Sequence, residues 1–291
     1  MSSKIKIAEI FYSLQGEGKW AGVPSVFLRT FGCNFQCRGF GMLPGGASLN
    51  TEPEQIAERV AEFKTYEELP LASKGCDSYA SWHPSFKHLS PVLSTEAIVE
   101  RMEDIIPNNT WTQDNFEDVH LVITGGEPLL GWQRAYPELI DQCMDNGLQN
   151  ITFETNGTQP LSDNFKIWLK DIWYEQRGYQ AMTFSVSAKL PVSGEKWSEA
   201  ILPEVVVEYE KYGYTYLKFV VASEKDVRDV DRAVELYREY GFEGPVYLMP
   251  VGGLPEDYHL NTAQVAELAM KKGYRYSPRL QVDIWRNAWG T

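Results

Sequence analysis

At 291 residues, with 43% hydrophobic, 13% aromatic and 23% charged side chains, the chain can bury a large core, either as one α/β barrel-like domain with an insertion or as two smaller domains, and no apolar run approaches the roughly 20 residues of a membrane-spanning helix. A net charge of -13, with no basic run longer than a pair such as Lys271-Lys272, opposes nucleic-acid binding and favours a small-molecule substrate. The start Met1-Ser-Ser-Lys-Ile-Lys-Ile lacks the apolar stretch of a secretory signal, and four unevenly spaced cysteines do not make a disulfide framework, so a cytoplasmic protein with thiols free for metal is expected.

Residues 4–12 alternate in part and are rich in Ile and Phe, which predicts a strand ended by the loop Ser13-Leu14-Gln15-Gly16-Glu17-Gly18. Glycines flanking Glu17 allow close backbone approach to a flat ligand, or simply make a turn. Residues 23–30 predict the next strand and deliver Arg29, whose forked donors suit a substrate carboxylate or a surface salt bridge. That strand runs into Phe31-Gly32-Cys33-Asn34-Phe35-Gln36-Cys37, where two thiols four residues apart on one loop can face one metal centre. After a turn-like stretch at 39–46, Thr51-Glu-Pro-Glu54 makes a capping-box start for a helix running toward Thr65. Residues 38–74 therefore form an insertion ahead of a third cysteine in Gly75-Cys76-Asp77-Ser78. Residues 78–88 are aromatic and irregular, and 94–105 carry the apolar spacing Ile98, Met102, Ile105 of an amphipathic helix that Pro107 stops.

Downstream the pattern becomes regular. The apolar run 119–124 precedes Gly125-Gly126-Glu127-Pro128 and a helical stretch at 132–146. Further predicted strands are 150–155, 182–187 and 216–221, the last before a helix at 224–240 whose mixed charges mark a solvent face. A strand at 246–249, a loop through Pro250-Val251-Gly252-Gly253, a helix at 261–272 and a closing strand near 280–285 complete the chain. Alternating strands and helices imply a parallel sheet with ligands at the C-terminal strand ends, in one domain over 1–291 with the 38–74 insertion.

Structural zinc commonly takes four ligands in two close pairs, whereas here Cys33 and Cys37 make one pair with Cys76 as an outlier. Cys143, inside an amphipathic helix, reads as a small core residue. Three thiolates with an open fourth position suit a four-iron cluster, and buried free thiols are the bland alternative. The Gly-Gly-Glu-Pro loop offers backbone donors and acceptors and a carboxylate for an amine, or merely lets a helix begin. Ser187-Ala188-Lys189 ends its strand with a hydroxyl and an ammonium for a cofactor, or with a solvated lysine. His83, His88, His120 and His259 show no metal or triad spacing and receive no role.

A Cys-x3-Cys loop after the first strands, then Gly-Gly-Glu-Pro after the next, resembles the radical S-adenosylmethionine superfamily. With Ser13–Gly18, Arg29 and Cys76-Asp77-Ser78 added, the chain resembles the 7-carboxy-7-deazaguanine synthase (QueE) family over nearly all its length except the insertion. The resemblance implies an incomplete TIM-like βα barrel and a [4Fe-4S] cluster on Cys33, Cys37 and Cys76. Phe40 stands where the family's third cysteine falls, which implies 36 residues inserted between the second and third ligands. The resemblance further implies that Leu14, Gln15, Gly16, Glu17 and Thr124 cradle a pterin, that Arg29 grips its carboxylate, and that Thr291 reaches it through a terminal carboxylate. Gly75, Asp77, Gly126, Glu127, Ser187, Ala188, Lys189, Met249, Pro250, Val251 and Gly252 would hold S-adenosylmethionine, and Ser78 a Mg2+. No side chain is assigned a catalytic role, because cluster and cofactor carry the chemistry. The implied reaction contracts 6-carboxy-5,6,7,8-tetrahydropterin to 7-carboxy-7-deazaguanine with loss of ammonia, in a homodimer reduced by flavodoxin or ferredoxin. Another radical S-adenosylmethionine enzyme and a non-enzymatic zinc-binding protein are the alternatives.

Overall fold

The computed structural model describes residues 2–42, 50–114 and 117–291, so positions 43–46 of the expected turn lie outside the described residues. Among the described residues nine strands are present: β1 (Lys4–Leu14), β2 (Pro24–Thr30), β3 (Val92–Ser94), β4 (His120–Gly125), β5 (Ile151–Thr155), β6 (Met182–Val186), β7 (Tyr214–Val221), β8 (Val246–Pro250) and β9 (Arg275–Tyr276). They make one sheet in the order β3-β1-β2-β4-β5-β6-β7-β8-β9. β2 and β4 to β9 run parallel, and β1 is antiparallel to both its neighbours. The fold is α/β with a mostly parallel sheet, as the alternation predicts.

The two faces of the sheet differ in chemistry. Leu28, Ile123, Phe153, Phe184, Leu217 and Leu248 point to one side and join Leu139, Phe165, Val206, Val230 and Leu268 of the crossover helices in the main core. At alternate positions the register brings Arg29 beside Thr124 and Glu154 beside Ser185, on the opposite face. That polar face is concave, since residues of β1 and of β8 line the same pocket. No helix among the described residues is long and apolar enough to cross a membrane.

One irregularity decides what β1 contributes. The register shifts between Ile7 and Glu9, so Ala8 is a bulge. Before it Ile5 and Ile7 face the main core; after it Ile10 and Tyr12 do. The change of parity turns Glu9 and Phe11 into the pocket, where an uninterrupted strand would have sent them into the helix layer.

The capping box at Thr51 and Glu54 is present, but the helix it starts ends at Glu58 and tightens into a 3-10 turn at Val60–Glu62 instead of reaching Thr65. The expected closing strand at 280–285 is a helix, Leu280–Trp285. Its alternation of apolar and polar residues resembles a strand, yet only Val282 is buried, and the amides of Val282 and Asp283 bond to the Arg279 carbonyl. The sheet closes on β9 instead. The helical run 163–177 and the helix Pro203–Tyr209, neither marked by a clear period, supply the crossovers on either side of β6.

Candidate active site

The cysteine loop leaves the end of β2 and is held from three directions. Gly126 approaches so closely that a Cβ there would overlap the Gly32 carbonyl and lie 2.6 Å from Cys33 Cβ, and the Glu127 amide donates to the Gly32 carbonyl at 2.7 Å. Asn156 donates through its amide nitrogen to Asn34 at 2.9 Å. On the far side Glu195 Oε1 accepts the amides of Gln36 at 2.9 Å and Cys37 at 2.7 Å, the second of these residues at φ +51.

The chain between Cys37 and Cys76 leaves and returns at one point. Gly75 donates its amide to the Phe40 carbonyl at 2.8 Å, closing that loop at its base. Glu52, in the first turn of the capped helix, accepts from Ser73 N at 2.6 Å, Ser73 Oγ at 2.8 Å and Lys74 N at 3.2 Å, which fixes the strand of chain leading into Cys76. Cys33, Cys37 and Cys76 consequently line one pocket, while Cys143 lies in the main core. All four are free thiols. Burial pushes Cys33 up to about 12, Cys76 to about 11 and Cys37 well above its ordinary value. Such thiols ionise only against strong positive charge, as a bound metal would supply. Among the described residues no three His, Cys, Asp or Glu side chains converge on a single ion position.

The pocket floor is the polar face of the sheet. Arg29 donates from Nε to Glu9 Oε2 at 3.1 Å. Burial opposes its charge, but Glu9 and neighbouring Tyr66 and Glu154 outweigh that and keep it a cation. Glu154 accepts from Gln15 at 3.2 Å and Thr124 at 3.1 Å, so one carboxylate ties together two of the expected pterin contacts. Glu17 is more heavily engaged. It accepts from Lys218, from Arg279 Nε at 3.2 Å and from Gln281 at 2.7 Å. Burial alone would push Glu17 up, yet Lys218 and Arg279 bring it down to about 2. A Cβ at Gly16 would displace the Gln281 side-chain amide that donates to Glu17.

Arg279 also donates from Nη2 to Asp77 Oδ2 at 2.7 Å and from Nη1 to the Gly252 carbonyl, joining three loops around the mouth. Ser78 Oγ lies 3.4 Å from Arg29 Nη1 and 3.3 Å from Asp77 Oδ1.

Of the residues expected at the cofactor, Gly75, Asp77, Gly126, Ser187, Lys189, Met249, Val251 and Gly252 line the pocket. Lys189 donates to the Ser187 carbonyl at 2.8 Å and hydroxyl at 3.0 Å. Ala188 packs into the main core, and Pro250 ends β8 opposite Val221. Glu127 is fully buried and its carboxylate accepts from Leu129 N, Thr155 Oγ1 and Asn156 N. Burial pushes it up to about 7, and in this state it braces the β5 loop. Leu14, Gly16, Arg29, Thr124 and Thr291 also line the pocket.

Glu9, Glu154, Lys218, Arg279 and Gln281 belong to the site and carry no motif. Three of them share one signal, a charge inside an apolar strand run, as in Ile-Ala-Glu9-Ile-Phe, Thr-Phe-Glu154-Thr and Tyr-Leu-Lys218-Phe. A charge there must face a partner or a ligand.

The two amide contacts to Glu195 yield a test of the loop's rigidity. Glu195→Ala is expected to weaken iron binding by about 10- to 100-fold, the range for loss of a residue supporting a metal ligand, and so to lower the iron retained after anaerobic reconstitution and gel filtration. Glu195→Gln, which keeps the acceptor, retains the wild-type content. Equal iron in all three proteins would show that Cys37 holds its place without Glu195.

No family model matches the chain. The 7-carboxy-7-deazaguanine synthase of Halobacterium salinarum is 30% identical over 300 residues, covering 98% of this chain and 91% of its own. That of Pyrobaculum aerophilum is 27% identical over 288 residues, covering 99% and 97%. The crystal structure of QueE from Escherichia coli shares the fold, with a TM-score of 0.52, 20% identity and coverage of 94% of this chain and 93% of that one. With full-length likeness at this level and three thiols opening onto the same pocket as a partly buried arginine, the chain belongs to the 7-carboxy-7-deazaguanine synthase family.

Proposed function

We propose that the chain converts 6-carboxy-5,6,7,8-tetrahydropterin to 7-carboxy-7-deazaguanine with loss of ammonia, as a radical S-adenosylmethionine lyase built on an incomplete TIM-like barrel with the 38–74 insertion in its cluster loop. The observation that carries the proposal is the opening of three thiols and a partly buried, charged Arg29 onto one pocket in a member of this family. A [4Fe-4S] cluster on Cys33, Cys37 and Cys76, with S-adenosylmethionine, supplies the one-electron chemistry when bound.

The chain's own residues bind and orient. Arg29, held flat by Glu9, offers its remaining donors to the substrate carboxylate. Gln15 and Thr124, fixed by Glu154, and the Leu14–Glu17 loop shape the cradle for the ring. Gly126 with Ser187 and Lys189 presents backbone and side-chain polar groups on the cofactor side, and Met249, Val251 and Gly252 add an apolar edge. Ser78, next to the carboxylate of Asp77, offers a hard oxygen to Mg2+, with substrate and water completing the shell. Cytoplasmic location, a homodimer and reduction by flavodoxin or ferredoxin belong to the same proposal.

Anaerobically reconstituted protein given the carboxypterin, S-adenosylmethionine and a reductant is expected to release the deazaguanine and ammonia. Turnover should rise with Mg2+, and Ser78→Ala should weaken that dependence at unchanged iron content. An intact cluster that yields no deazaguanine sinks the substrate assignment, and a colourless protein with stoichiometric zinc sinks the radical chemistry.

A further inference from the structure

The insertion is more than a spacer ahead of Cys76. Its Ile56, Tyr66, Leu69 and Ala72 are buried with Ala8, Tyr79, Trp82 and Phe86 in a second core, separate from the one beneath the sheet. Trp289 packs against that core. Its ring meets Tyr66 edge-on at 4.8 Å and Tyr79 at 6.0 Å, and its Nε1 donates to the Leu69 carbonyl at 2.7 Å. An indole bound by its face, its edge and its N–H has one orientation, so the residues beside it are held as well.

Those residues reach the substrate side. Gly290 donates its amide to Glu9 Oε1 at 2.7 Å, while Glu9 Oε2 accepts from Arg29. Ala288, Trp289, Gly290 and Thr291 line the pocket together with Glu9 and Arg29. The chain arrives there through Arg286 and Asn287, at φ +56 and +61. Left-handed backbone at two successive non-glycine residues costs energy, and contacts beyond the turn must over-determine it. The Trp289 contacts supply that restraint.

We propose that the insertion is a socket for Trp289, and that this socket holds residues 287–291 as the wall of the pocket beside Arg29. Trp289, Tyr66 and Leu69 are then positioning residues: they act on the substrate carboxylate through the Glu9–Arg29 pair. The bulge at Ala8 serves the same end, since it seats Ala8 in the insertion core and turns Glu9 toward both Gly290 and Arg29.

The proposal rests on the substrate assigned above, so its test has one arm that uses substrate and one that does not. In Trp289→Ala the KM for the carboxypterin is expected to rise about tenfold with kcat within about twofold of wild type, as for loss of binding made equally in ground and transition states. Hydrogen exchange of the intact protein should quicken both at 288–291 and at 64–72, and iron content should not change. Trp289→Phe, which keeps a ring in the socket, should recover most of both effects. Unchanged exchange at 64–72 in Trp289→Ala, or a fall in kcat at unchanged KM, overturns the proposal. Failure of wild-type protein to use the carboxypterin strikes the substrate assignment alone, because the exchange arm still decides the socket.

Discussion

Cys76→Ala is expected to abolish the cluster: iron and sulfide after anaerobic reconstitution should fall from about four per chain to background. Cys143→Ala should keep the full complement and lose only some packing in the main core, about 1 kcal/mol, as for other small cuts in a buried side chain. The contrast follows from where the chain is pinched. A loop as long as the one between Cys37 and Cys76 closes at a modest entropic cost, because each doubling of length adds only about 0.6 kcal/mol. The closing contacts are specific: Gly75 on the Phe40 carbonyl, and Ser73 and Lys74 on Glu52. Together they set Cys76 into the pocket that Cys33 and Cys37 line. Iron content measured alongside the visible absorbance checks both variants, and loss of cluster in Cys143→Ala with retention in Cys76→Ala would reverse the ligand assignment.

The parts of this site that could be read in the sequence are those whose chemistry is local. Cys33 and Cys37 share one loop, Gly126 and Glu127 share another, and the strand-helix alternation from residue 119 onward places such loops at strand ends. The capping box at Thr51 and Glu54 was legible for the same reason, since both partners lie within one helical turn. Glu9 was hidden, because its direction depends on a bulge that a strand pattern does not announce. Lys218 and Glu17 are 201 residues apart, and the partner that makes a buried lysine tolerable is set by the whole curvature of the sheet. The segment 280–285 misleads in the other direction. Its alternation is that of a half-buried strand, but the Arg279 carbonyl takes the amides of Val282 and Asp283, and the short helix so formed turns Gln281 toward Glu17.

Arg279 sits at the centre of what was hidden, and its removal is expected to cost the fold as much as the site. Its guanidinium serves Glu17, Asp77 and the Gly252 carbonyl at once, which only a planar fork with several donors can do. In Arg279→Met the partly exposed Asp77 loses its ion-pair partner while Glu17 keeps Lys218 and Gln281, a change worth about 2–3 kcal/mol after solvent screening, so the melting midpoint should drop by roughly 4–6 °C in a chain of this length. Arg279→Lys, a point charge that cannot reach all three acceptors, should fall between. The loss has a pH signature. Glu17 is held at about 2, below its ordinary 4.5, and Asp77 is also held low, because Arg279 outweighs the effect of burial on it. Groups depressed in the folded state contribute stability that is complete above their unfolded values and disappears as pH falls through the folded ones. The gap between wild type and Arg279→Met should accordingly be full at pH 6–8 and shrink as the pH is lowered from about 5 toward the folded values. Thermal melts of both proteins across that range measure it. A gap that stays constant down to pH 3 would mean that Arg279 stabilises by packing, and that Glu17 and Asp77 take their charge from elsewhere.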